Sequence, residues 1–132
     1  MNAFIDHVSI PVAAFAKAAA FYNAVLATLR LKRRKERAGA IGWRPDDVLP
    51  PIFWILAREN GAATPGVGLH ISFRAQKRAE VNAFHATALA HGARDAGAPG
   101  ERPHYTAGFY SCFVFDLDGF KIETVVREAL PS

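Results

Sequence analysis

The sequence predicts an α+β fold made of two repeated βαβββ modules, and three observations carry that prediction. Two strand-like runs, FIDHVSIPV (4–12) and GLHISFRA (68–75), superpose without a gap at a shift of 63 residues, with His7 over His70, Val8 over Ile71 and Ser9 over Ser72. The same shift then matches Phe21 with Phe84, Leu26 with Leu89 and Ala27 with Ala90. Agreement at one fixed offset is the mark of an internal duplication. Each matched strand is followed by apolar spacing of helical period and then by further alternating runs. A Gly- and Pro-bearing stretch, ENGAATPG (59–66), separates the halves.

The first module, about residues 1–58, opens with the strand at 4–12. A helix follows from about Ala14 to Thr28, because Ala18, Phe21, Val25 and Leu29 share one face. Strands are expected at 31–37, 40–43 and 52–57. The second module, about 67–128, repeats this order. Its strand at 68–75 leads into a helix that runs to about His91, where Gly92 supplies the stop. His91, in the last turn, compensates the helix dipole. DAGAPGERPHY (95–105) reads as loop or irregular strand, FYSCFVFD (109–116) as a strand, DLDG (116–119) as a tight turn and FKIETVV (120–126) as the final strand. The whole chain, 1–132, is expected to be one domain with its linker at 59–66.

Composition limits the function. Half the chain is hydrophobic, 51%, which is too apolar for disorder. No apolar run approaches the ~20 residues that cross a bilayer, and the N-terminus has no signal-peptide pattern. Cys112 is the single cysteine, so no internal disulfide forms. Together these point to a cytoplasmic protein without a membrane partner. Much of the net charge of +4 lies in RLKRRKER (30–37). That run carries no aromatic residue for base stacking, and it is read as a solvated edge strand rather than a nucleic-acid surface.

Strand alternation sets out a candidate site. His7 shares a face with Ile5 and Ser9, His70 with Gly68 and Ser72, and Glu123 with Lys121 and Val125. The opposite faces carry Val8 and Ile10, Ile71 and Phe73, Phe120 and Ile122, and call for helices. Two histidines and one carboxylate brought together by a curved sheet form a facial triad for a divalent metal, with positions left open for substrate. The plain alternative is three satisfied polar residues in a solvated cup.

IDHVSIPV, AFYNAVLATL, GLHISF and DLDGFKIETV together resemble the vicinal oxygen chelate superfamily, which includes glyoxalase I, fosfomycin resistance proteins, extradiol dioxygenases and bleomycin resistance proteins. DLDG is similar to the family's DPDG turn, with Leu117 in place of proline. The resemblance covers nearly the whole chain. It implies curled mixed sheets that form a metal-binding cup, with His7, His70 and Glu123 as ligands of Zn, Ni, Mn or Fe(II). It also implies a glyoxalase- or dioxygenase-like enzyme, a lyase, isomerase, transferase or dioxygenase, that chelates two neighbouring oxygens of a small substrate. The different-class alternative is a small-molecule binding or resistance protein without catalysis. PIFWILA (51–57) offers no Glu or Asp as a fourth ligand, which counts against lactoylglutathione lyase activity.

ERPHYTAGFYSCF (101–113) holds the remaining candidates. It is similar to an RPHYH…YY segment in a sub-group of the family. His104, Tyr105 and Tyr110 are candidate catalytic groups, and Arg102 is a candidate holder of a substrate acid group. The alternative is a tyrosine-lined loop packed on the sheet. Trp54 is a candidate substrate wall, with a core role as the competing reading. His85 is expected to be exposed on its helix, and Cys112 to be a buried, inert thiol. Members of this length resemble one another in forming two-fold dimers, so a symmetric homodimer is expected.

Overall fold

Alternating branched residues make β1 (Val8–Val12) a strand with Ile10 and Val12 buried. The computed structural model describes residues 3–58, 66 and 68–128. The chain divides into two compact units, Met1–Ala63 and Thr64–Ser132. The expected linker at 59–66 lies, apart from Gly66, outside the described residues.

In the first unit β1 is followed by α1 (Phe15–Ala27), β2 (Lys32–Arg37), β3 (Ala40–Arg44) and β4 (Phe53–Ala57). The sheet order is β1-β4-β3-β2. β1 runs parallel to β4, while β4–β3 and β3–β2 are antiparallel. In the second unit β5 (His70–Arg74), α2 (Arg78–Ala90), β6 (Arg94–Glu101), β7 (Phe109–Phe115) and β8 (Lys121–Arg127) repeat the plan in the order β5-β8-β7-β6. Two four-stranded mixed sheets, each with its helix, make the two βαβββ modules that the sequence predicts. The helices span 15–27 and 78–90, the same offset of 63 residues that relates the histidines.

Each helix covers one sheet face, because parity gives each sheet one apolar side. α1 packs on β4, and α2 on β6, β7 and β8. The expected α1 face of Ala18, Phe21, Val25 and Leu29 is buried throughout. Tyr22 joins it, its ring 4.9 Å from Phe53, and Trp43 closes the cluster with its indole N–H donating to Asn23 at 3.1 Å. Burying side chains of this size contributes about 1.5–3 kcal/mol each. The repeat is imperfect in the second unit, where Leu26 (0% exposed) is answered by Leu89 at 39%. α2 begins where Glu80, in its first turn, reaches back to accept the amide of Gln76, the residue before the N-cap Lys77, at 2.8 Å.

The edges are handled by charge and by irregularity. β2 is exposed along its whole length at the border of its sheet, as its charges predict. Its Lys32 and Arg34 both pair with Asp46. β6 is an edge of the second sheet, and Gly, Pro and two register shifts break its ladder, as suits an edge strand. Among the described residues no helix is long and apolar enough to cross a membrane.

Two expectations change. The opening strand is paired only from Val8, so His7 precedes the ladder rather than lying inside it. His85 is buried, 9% exposed, and not on the outside of its helix. It occupies the repeat position of Tyr22, facing the sheet, and its Nε2–H donates to Asp95 at 2.9 Å. That bond and the Gly97 amide hold the Asp95 carboxyl below its ordinary range. His91 is a half-match: it lies just after α2 and its Nδ1–H donates to the Thr87 carbonyl.

The DLDG segment is a turn tied by one side chain. Asp116 is buried, and its Oδ1 accepts from the amides of Asp118 and Phe120 at 3.0 and 2.8 Å, while Gly119 takes a positive φ of 90°. Asp116→Ala leaves two amides without their acceptor and is expected to cost about 1–3 kcal/mol, read as a lower midpoint in urea unfolding; Leu117→Ala, at an exposed position, is the neutral control.

Candidate functional site

The parallel strand pairs decide which side chains become neighbours. In the second unit Ser72 of β5 lies beside Glu123 of β8, and His70 beside Lys121. His70, Ser72, Lys121 and Glu123 therefore share the sheet face away from α2. Together with Tyr105, Phe109, Phe113, Val125 and Arg127 they line a groove of about 480 Å3.

Glu123 is its most unusual member. Its side chain is 5% exposed, and Oε1 lies 3.3 Å from Nε2 of His70, which is 44% exposed. Its Oε2 is buried without a hydrogen-bond partner. No lysine or arginine forms an ion pair with this carboxylate among the described residues. Burying an ionised acid is costly unless it is paired and hydrogen-bonded, and half of this one is neither. An imidazole nitrogen and an orphaned carboxylate oxygen side by side are a donor set that suits a divalent cation. Among the described residues no group of three or more His, Cys, Asp and Glu side chains is gathered for metal binding.

The first unit carries the repeat-related face. Ser9 of β1 pairs with Trp54 of β4, so Trp54 takes the place that Glu123 holds in the other sheet. His7, Asp6, Ser9, Arg37 and Trp54 line a pocket of about 320 Å3. His7 is about half exposed, and its Nδ1 lies 2.6 Å from Asp6. A carboxylate only accepts, so Nδ1 carries a proton and Nε2 is the nitrogen turned away from Asp6. The sequence reading gave Asp6 no role, although an acid next to a candidate ligand is the signal that points to one. Trp54 is half-buried on this open face, with Arg37 over its ring at 5.2 Å. The buried core indole is Trp43 instead.

The candidates of 101–113 separate. Tyr105 reaches the His70–Glu123 groove, and His104 stacks on its ring at 4.3 Å. Tyr110 has the parity of Cys112, not of Phe109, and so sits on the helix side of β7, where its hydroxyl donates to Asn82 at 2.6 Å. That parity was visible in the strand. Arg102 is occupied by backbone: it donates to the carbonyls of Gly100, Ser111 and Ala98 at 2.8, 2.7 and 3.0 Å, clamping irregular β6 to β7.

Two outcomes follow from these positions. Gly42 lies against Trp54 and Pro51, where an added Cβ would come within 2.9 Å of the indole and 2.7 Å of the proline. Gly42→Ala is expected to displace the indole, seen as a shifted tryptophan emission maximum with the fold retained by circular dichroism. Cys112 is buried, its Sγ 3.7 Å from the Val81 carbonyl, and burial pushes its thiol up to about 12. Native protein at pH 8 should resist iodoacetamide, whereas urea-unfolded protein should react within the mixing experiment. The fold keeps the proton that the unfolded thiol loses near pH 9, so this group's contribution to stability falls as pH rises from about 9 towards 12.

The comparisons with known proteins agree with this architecture. The family model described as the Glyoxalase/Bleomycin resistance protein/Dioxygenase superfamily matches residues 4–124. A glyoxalase/bleomycin resistance protein from Albidiferax ferrireducens T118 is 30% identical, with a TM-score of 0.81 over 92% of this chain and 98% of that one. A glyoxalase/bleomycin resistance protein/dioxygenase family enzyme from Burkholderia phytofirmans PsJN is 17% identical, with a TM-score of 0.72 over 96% and 100% of the two chains. A mutant of the fosfomycin resistance protein FosX from Listeria monocytogenes, complexed with Mn(II) and 1S,2S-dihydroxypropylphosphonic acid, is 16% identical, with a TM-score of 0.67 over 94% and 90%. No curated protein compared with the chain matches it.

Proposed function

The chain belongs to the glyoxalase/bleomycin resistance protein/dioxygenase superfamily, and from that premise we propose that it is a divalent-metal-dependent enzyme acting on a small oxygenated substrate. The observation that carries this reading is the Glu123 carboxylate, buried with one oxygen beside His70 and the other without a partner. A cation shared by the two residues would balance that charge. His70 and Glu123 are the proposed ligands, and His7 is the third by its place in the repeat, supplied by the same chain or by a second copy in a symmetric dimer. When bound, a Zn, Ni, Mn or Fe(II) ion would supply Lewis acidity to two neighbouring oxygens of the substrate.

The chain's own residues do the rest. Asp6 holds the Nδ1 proton of His7 and so presents Nε2. The rings of Phe109 and Phe113 wall the groove and keep water from the carboxylate. Tyr105 is the hydroxyl-bearing aromatic of the 101–113 segment that meets a substrate lying there. Trp54 and Arg37 shape the corresponding face of the first unit.

Protein purified without chelator is expected to carry a stoichiometric divalent ion by elemental analysis. His70→Ala and Glu123→Gln should each abolish that content. In chelator-stripped protein Glu123→Gln should leave the thermal midpoint unchanged or raise it, because it removes a buried charge that nothing balances. Unsubstituted protein that takes up none of the four ions would refute the reading, and a strictly monomeric species in sedimentation would refute its dimeric form.

A further inference from the structure

The groove of the second unit carries positive charge that its own acid does not use. Lys121 and Arg127 lie on the same strand and face as Glu123, one on each side. Neither meets a carboxylate among the described residues. Lys121 lies at the His70 end, its Nζ 4.8 Å from the centre of the Phe113 ring. Arg127 lies at the other end, its Cζ 4.9 Å from the centre of the Phe109 ring.

Phe109 also organises Tyr105, whose ring meets it edge-on at 5.2 Å. One buried ring thus holds a guanidinium and a phenol at the same end of the groove. Stacking fixes an arginine while leaving its N–H fork open, and the Tyr105 hydroxyl makes no hydrogen bond to the described residues. A fork and a hydroxyl that both adjoin the Phe109 ring and line one groove, with no acid of the protein's own, match a planar carboxylate. The fork donates two parallel bonds and the hydroxyl a third.

We propose that Arg127 and Tyr105 anchor a carboxylate of the substrate, so that the enzyme selects small acids. This rests on the metal reading above, because the other end of the molecule would then lie at His70 and Glu123. The strand gives the spacing. Glu123 and Arg127 are four residues apart on β8, about 13 Å between Cα atoms at ~3.3 Å per residue. Both side chains stand on one sheet face, so a substrate that spans them would carry its acid group and its paired oxygens at opposite ends of a spacer about the size of one aromatic ring.

Isothermal titration of the full chain loaded with Mn(II) tests this with three probes: 3,4-dihydroxybenzoate, catechol and benzoate. Dihydroxybenzoate is expected to bind roughly tenfold or more tightly than catechol, as a charge-assisted bidentate pair supplies. Arg127→Ala and Arg127→Gln should each erase that advantage and leave catechol affinity unchanged, and Tyr105→Phe should reduce it in part. Equal binding of the acid and catechol by unsubstituted protein, persistence of the advantage in both Arg127 variants, or no binding of either acid at millimolar concentration overturns the anchor. Glu123→Gln separates the two ideas. It should abolish catechol binding and spare Arg127-dependent benzoate binding; catechol binding that survives it strikes the metal reading and not the anchor.

Discussion

The parallel pairing of first and last strands within each module is the constraint on which the rest depends. A parallel neighbour cannot be joined by a tight turn, so the chain must cross over through a helix. That crossover covers one sheet face and leaves the other open. It also brings residues from the two ends of a module into one row, Ser9 with Trp54 and Ser72 with Glu123. The two candidate faces, one around Trp54 and one around Glu123, are built on those two rows.

The rows show what duplication did to the chemistry. The first-strand histidine and serine are kept in both modules, but the last-strand partner is an indole in one and a carboxylate in the other. Aromatic packing and cation contacts dominate the first open face, where Arg37 lies over Trp54. A buried, half-satisfied acid dominates the second. One backbone plan thus supports two different local environments.

Much of the fold was legible because the repeat and the strand parity speak the same language. The offset of 63 residues placed both helices, and alternation separated the apolar faces from the polar ones. What was misread had physical reasons. His85 looked exposed when judged by residue type, yet its offset partner Tyr22 is buried, and pairing with Asp95 makes burial tolerable. Arg102 fits the packed-loop alternative, its bonds going to carbonyls of β6 and β7, a demand that no propensity reveals. Trp54 lies on the open face and Trp43 in the core because two indoles on neighbouring strands differ in parity. His70 and Glu123 as neighbours were foreseeable from parity, whereas the orphaned oxygen was not, since it depends on where every nearby cation ends up.

The same first-to-last pairing also governs how the protein can be made. Among the described residues β1 has β4 as its sheet neighbour, so it has no strand partner until β4 exists. Such non-local closure is slow compared with helix formation. On a ribosome the first module has all four of its strands by residue 57, and chains form their structure from the N-terminus as they emerge. The first half can therefore be a finished body before the strand bearing Glu123 is synthesised. The acid enters with β8, the last strand to be made, so the nascent chain never has to shelter that charge while the remainder of its sheet is missing.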